Sequence, residues 1–125
     1  MIALDTSSLI SYMAGEEGAD VMAVDLALEQ KQGVLPPVVL AEMLSDPRLP
    51  ASVADLLREL PLLPLHDGFW ERSGLLRARL MRQGRKVPLA DSLIAQTCID
   101  NDVPLVTRDT DFRPFARLGG LRLAP

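Results

Sequence analysis

Val87-Pro88-Leu89-Ala90-Asp91-Ser92-Leu93-Ile94-Ala95 and, further on, Pro104-Leu105-Val106-Thr107-Arg108-Asp109-Thr110-Asp111-Phe112 set a helix before a strand, with an acid at a strategic point of each. Pro88 suits a helix start, where its missing amide hydrogen does no harm. Asp91 then falls in the first turn, where the helix dipole favours an anion, beside an apolar stripe of Ala90, Leu93, Ile94, Thr97 and Cys98. Pro104–Val106 reads as a strand and Thr107–Asp111 as a loop, so Asp109 stands just past the strand's carboxyl end.

The same alternation continues in both directions. Residues 1–5 read as a short buried strand ending at Asp5, and Thr6–Ala14 as a helix opened by hydroxyl caps and closed by Gly15. Asp20 is expected to cap a helix carrying Val21, Val24 and Leu28, with Gly33 as its stop. Val34-Leu35 begins the next unit, and Pro36-Pro37 opens a helix through about Asp46 with Glu42 at its middle. Pro50–Leu60 reads as a helix, Leu62–Leu65 as a strand, and Asp67 as the cap of a long helix ending near Gly84. Leu121–Leu123 is expected to form a terminal strand after Gly119-Gly120.

Strands alternating with helices predict an α/β fold, a central parallel sheet with helices on both faces, in a single domain over residues 1–125. Such sheets place ligands outside the carboxyl ends of their strands, where Asp5 and Asp109 both fall. Asp5, Glu42, Asp91 and Asp109 are far apart in sequence, yet each adjoins an apolar segment. An isolated buried carboxylate is costly or neutralises itself, so acids converging there point to a bound cation. Magnesium and manganese prefer oxygen ligands, and phosphodiester cleavage uses such ions. Each acid also has a bland reading: Asp91 as a helix-start residue, Asp5 and Asp109 as turn or capping residues, Glu42 as a solvated helical glutamate. The combination is what shifts the balance.

That combination resembles the PIN-domain ribonuclease family, especially the VapC-type toxins of prokaryotic toxin-antitoxin pairs, over nearly the whole chain. Ile2-Ala3-Leu4-Asp5-Thr6-Ser7-Ser8-Leu9-Ile10 is similar to the family's first motif and Pro37-Val38-Val39-Leu40-Ala41-Glu42-Met43-Leu44 to its second. The two segments quoted at the outset are similar to the third and fourth motifs in succession. The resemblance implies a PIN-like three-layer fold and magnesium- or manganese-dependent hydrolysis of RNA. It also implies homodimerisation and inhibition by a small cognate antitoxin protein. Asp5, Glu42, Asp91 and Asp109 would hold the metal, with Thr6 or Ser8, and Thr107, orienting a carboxylate or water. Asp111 is a further acid, and either it or Asp109 fits the fourth ligand position. The inhibitor is expected to dock an amphipathic helix on hydrophobic helices of the amino-terminal half.

Composition narrows the remaining classes. With one cysteine, Cys98, no intrachain disulfide or cysteine-rich zinc site can form, and a reducing, cytoplasmic setting is expected, with no membrane association. The formal charge is -4, which argues against a nucleic-acid coat held by global charge. The distribution is uneven: residues 1–66 hold three bases against ten acids, and residues 67–86 hold six against two. In that second segment Arg72, Arg79 and Arg82 gather along one flank of a helix whose buried face is Phe69, Ser73, Leu76 and Leu80. Arg85 and Lys86 extend the flank, and Arg108 adjoins Asp109. Such a strip would hold an RNA backbone that the carboxylates alone would repel, or else form a solvated face or a protein contact.

His66 is the only histidine, so a histidine-pair route to RNA cleavage is absent within one chain. No serine elbow and no glycine-rich phosphate loop is present. Tyr12 and Trp70 suit packing better than base stacking. An aspartyl-phosphate hydrolase would want a second acid two residues after Asp5, where Ser7 stands. The alternative from another class is a catalytically silent PIN-like module that binds protein or RNA.

Overall fold

Three short strands lie side by side and parallel in the computed structural model, which describes residues 1–124. They are β1 (Ile2–Leu4), β2 (Gly33–Val34) and β3 (Leu105–Val106), in the order β2-β1-β3. Seven helices surround them: α1 (Thr6–Met13), α2 (Ala19–Glu29), α3 (Pro37–Leu44), α4 (Ala51–Glu59), α5 (Phe69–Met81), α6 (Leu89–Asn101) and α7 (Arg113–Gly119). Successive strand residues point to opposite faces, and Ala3 and Leu4 are both fully buried, so helices cover the sheet on both sides. One apolar cluster joins β1 and β3 to Leu9, Val39, Leu57, Leu80, Ile94 and Phe115.

Register places the site. β1 pairs with β3 so that Ala3 lies opposite Leu105 and Leu4 opposite Val106, and the Asp5 amide donates to the Val106 carbonyl at 3.0 Å. The first residues beyond each strand, Asp5 and Thr107, are thereby neighbours. Pro36 and Pro37 start α3 as expected, and Pro88 directly precedes α6. Ser92, Ile94, Ala95, Gln96, Thr97 and Cys98 are all buried, so α6 is enclosed on more than the single stripe its apolar residues mark.

Several local expectations are corrected. The strand anticipated at Leu62–Leu65 is a single parallel bridge, Leu62 to Leu35. Pro61 and Pro64 flank it and have no amide hydrogen with which to extend a ladder. The terminal strand is likewise one bridge, Leu123 to Leu105. The α2 helix stops at Gln30, with Lys31 left-handed (φ 55°), and Gly33 lies in β2 instead of ending the helix. Gly68, at φ 82°, and not Asp67, occupies the residue before α5. The short helical turn Thr110–Phe112 and α7 occupy a region for which the sequence pattern suggested no helix. Pro114 near its start and left-handed Gly120 after its end are ordinary helix punctuation, and Phe112 and Phe115 bury their rings 5.9 Å apart to anchor it.

Candidate functional site

Asp5 precedes α1 in an extended conformation, but its side chain does not cap the helix. Its Oδ2 accepts from the Ser7 hydroxyl and from the Thr107 hydroxyl, each at 2.7 Å. Thr107 Oγ1 in turn accepts the Asp109 amide at 3.0 Å, and Asp109 Oδ1 accepts the Asp111 amide at 2.8 Å. This chain of hydrogen bonds ties the ends of β1 and β3 and sets three acids in one arrangement. Asp109 therefore does act as a turn residue, and its second oxygen is left to serve the site.

Asp91, from the first turn of α6, faces the same point. One oxygen each of Asp91, Asp109 and Asp111 lies within 4.8 Å of the others. Three carboxylate oxygens gathered this closely are a hard, anionic donor set of the kind that magnesium or manganese takes. Asp5 and Glu42 lie outside that trio but close enough to act on it. Burial first, then the charges of Asp109, Asp5, Asp111 and Glu42, push the Asp91 carboxyl up from an ordinary 3.8 to about 7. Glu42 is exposed on α3 and accepts from the Thr6 hydroxyl at 2.9 Å.

Not every anticipated group joins this centre. Ser8 is fully buried and donates to Asp20 at 2.8 Å, while Ser7, which was not among the residues expected to support the acids, serves Asp5. The signal for Ser7 was its place two residues after an acid at a strand end, a common spacing for a local side-chain turn. Arg108 turns away from the acids. Its Nε and Nη2 form a two-pronged pair with Asp20 at 2.9 and 3.0 Å, and its Nη1 reaches Glu16 at 2.8 Å. Hydrogen bonds from Arg108, aided by Ser8, hold the Asp20 carboxyl down at about 2 despite partial burial. At Gly18 a Cβ would meet Asp20 Oδ1 at 2.7 Å and Arg108 Nη2 at 3.0 Å, so this clasp needs glycine there.

The arginine flank of α5 is divided. Arg72 is bound to both Asp100 oxygens and to the Asp67 carbonyl. Arg79, Arg82, Arg85 and Lys86 are exposed and in no ion pair among the described residues. Arg77 donates to the Val87 carbonyl at 2.8 Å and so pins the connection that carries Arg85 and Lys86. Cys98 is buried, and burial together with Asp5 pushes its thiol up to about 12, which suits core packing. No helix among the described residues is long and apolar enough to cross a membrane.

The PIN domain family profile matches residues 2–118. No curated protein matches the sequence. Solved structures similar to this chain include VapBC2 from Rickettsia felis bound to a promoter DNA fragment, at TM-score 0.72 and 22% identity over 99% of this chain and 98% of that one. Another is VapBC-1 from nontypeable Haemophilus influenzae, at TM-score 0.72 and 20% identity over 99% and 97%. A third is VapBC-5 from Mycobacterium tuberculosis, described as a member of the VapBC family of toxin-antitoxin systems, at TM-score 0.67 and 22% identity over 98% and 95%. At these identities the likeness is one of fold.

Proposed function

The chain belongs to the PIN domain family, and we propose that it is a metal-dependent endoribonuclease that hydrolyses RNA phosphodiester bonds, the toxin of a type II toxin-antitoxin pair. The observation that carries this reading is Asp91. One of its oxygens lies within 4.8 Å of one from Asp109 and one from Asp111, and burial with four surrounding acids pushes its carboxyl up to about 7, a cost that a divalent cation would relieve. Asp91, Asp109 and Asp111 would hold the ion, with Asp5 and Glu42 at its border; the closeness of one oxygen from each of the three supports giving both Asp109 and Asp111 a part in it. Bound magnesium or manganese would supply Lewis-acid polarisation of the phosphoryl oxygen, a more acidic attacking water and charge to offset that on the leaving oxygen.

The chain's own residues prepare that chemistry. Ser7 and Thr107 occupy Asp5 Oδ2 and fix the carboxylate plane, leaving Oδ1 without a hydrogen-bond partner among the described residues. Thr6 likewise restrains Glu42, which by its exposure at the rim is suited to accept a proton from an incoming water.

The resemblance of the fold to toxin-antitoxin complexes supports a cognate antitoxin as partner; a homodimeric toxin in a cytoplasmic setting completes the reading. A cleft of about 300 Å³ lined by Ile10, Met13, Met43, Leu49 and Val53, with Glu42 at its edge, supports an amphipathic inhibitor helix docking on the amino-terminal half. The test is cleavage of a total-RNA pool by the wild type and by Asp91→Asn, with magnesium, manganese or chelator at matched salt. Metal-dependent cutting by the wild type alone is expected. Manganese binding without cutting by either protein would favour a silent binding module instead.

A further inference from the structure

A cleft of about 700 Å³ opens between α7 and the connection from α5 to α6. Arg85 and Lys86 line one wall and Arg113 and Arg117 the other, and the single acid in the lining is Asp111. Asp111 is also one of the three acids of the candidate metal centre, and Pro88, at the mouth of α6, lies in the same wall. The cleft therefore borders the acidic centre at Asp111. None of its four cations is in an ion pair among the described residues, whereas Arg108, which adjoins Asp109, is bound to Asp20 and Glu16. Phe112 and Phe115 face the core, and Arg113 and Arg117, one helical turn apart, are consequently held outward on one face of α7.

We infer that this cleft is the track that grips the substrate's sugar-phosphate backbone on one side of the scissile bond, with Arg113 and Arg117 as its principal phosphate ligands and Arg85 and Lys86 completing it. The inference rests on the nuclease reading for the identity of the ligand, and it adds two arginines and a direction of approach. Guanidinium groups match phosphate oxygens in a two-pronged geometry, and cations are needed to bring a polyanion to a cluster of acids. The one aromatic ring in the lining, Phe115, is 1% exposed, so no base can stack there. The grip is on phosphates and tolerant of sequence.

The test uses the full chain without metal and a fluorescein-labelled short single-stranded RNA of mixed sequence, with binding read by anisotropy across a salt series. Arg113→Gln with Arg117→Gln is expected to weaken binding about tenfold and to flatten the slope of log affinity against log salt by about 0.7 for each phosphate that is no longer neutralised. Arg48→Gln with Arg58→Gln makes the same change in net charge elsewhere and should cost much less. Arg113→Lys with Arg117→Lys should recover part of the loss, and unchanged unfolding midpoints show that the variants are folded. Equal losses in the cleft and Arg48/Arg58 pairs, a greater loss from Arg79→Gln with Arg82→Gln, or displacement of RNA by poly-glutamate at equal charge concentration would overturn the assignment. Manganese-dependent cleavage is followed in parallel. Cleft-dependent binding without cleavage would keep the cleft as a phosphate grip and remove the nuclease reading with its scissile bond, and cleavage undiminished in the cleft variant would overturn the grip and keep the nuclease.

Discussion

Asp20 and Asp91 each stand in the first turn of a helix, α2 and α6, yet one carboxyl is held at about 2 and the other is pushed to about 7. Both lie within a first helical turn; the company differs. Asp20 has a guanidinium on both oxygens and a serine hydroxyl, so its charge is compensated inside the protein. Asp91 has burial and four acids and accepts no hydrogen bond from the described chain. A compensated acid is structural, and an acid surrounded by its own kind either takes up a proton or is suited to a bound cation.

Removing the uncompensated acid should have the largest effect. Asp91→Asn is expected to slow RNA cleavage by about 100-fold or more and to abolish the rise in unfolding temperature that manganese gives the wild type. A variant that still gains stability from manganese would show that Asp91 is not a ligand.

Breaking the compensated pair comes next. Arg108→Met should leave Asp20 without its cation, so that the carboxyl titrates at higher pH in a carbon-detected NMR titration. Arg108 adjoins Asp109 and fastens that loop to the start of α2, so manganese affinity measured by calorimetry should fall about tenfold. Unaltered metal affinity would confine Arg108 to stabilising the fold.

The two acids should also bend stability in opposite directions with pH. For Asp91 the folded value lies above the unfolded one, so the metal-free native state binds more protons between pH 3.8 and about 7, and stability falls as pH rises across that window. Allowing for its partial solvation, the drop is about 1–2 kcal/mol. It should be absent in Asp91→Asn and largely removed by saturating manganese. For Asp20 the folded value is the lower one, so its contribution is present above about pH 4 and is lost as pH falls through about 2. Urea denaturation at a series of pH values separates the two; a metal-free stability that rises from pH 4 to 7 in proportion to Asp91 ionisation would contradict the first.

The smallest contrast is between adjacent serines. Ser8→Ala removes the hydroxyl on Asp20 and should cost about 1 kcal/mol of stability with cleavage nearly intact. Ser7→Ala removes one of two hydroxyls on Asp5 and should slow cleavage several-fold with little loss of stability. Steady-state cleavage and denaturation on both variants decide it, and a reversal of the two would mean that the hydrogen bonds are assigned to the wrong serine.

Much of this was legible in the chain itself because it is written locally. Pro36-Pro37 and Pro88 announce α3 and α6, and the buried face Phe69, Ser73, Leu76 and Leu80 follows from helical period alone. The strand ends that carry Asp5 and Asp109 follow from short apolar runs and turn residues. Ladders that Pro61 and Pro64 prevent from forming were less legible, since the apolar residues of Leu62–Leu65 mark a strand whether or not hydrogen-bonding partners exist. Arg113 and Arg117 were hidden for a different reason: a running charge count sets them against Asp109, Asp111 and their neighbours and returns a value near zero.

By itself the sequence determined the alternation of strands and helices, the parallel sheet and the acids that gather at one end of it, because hydrophobic period, proline placement and strand-end position are local properties. Only the tertiary structure decided which oxygen meets which donor. The pairing of β1 with β3 put Thr107 beside Asp5, the turn after β3 sent Arg108 to Asp20, and the burial of Phe112 and Phe115 left Arg113 and Arg117 facing a cleft. Contacts of this kind span up to about a hundred residues of chain, and their partners are chosen by packing and geometry that no local pattern encodes.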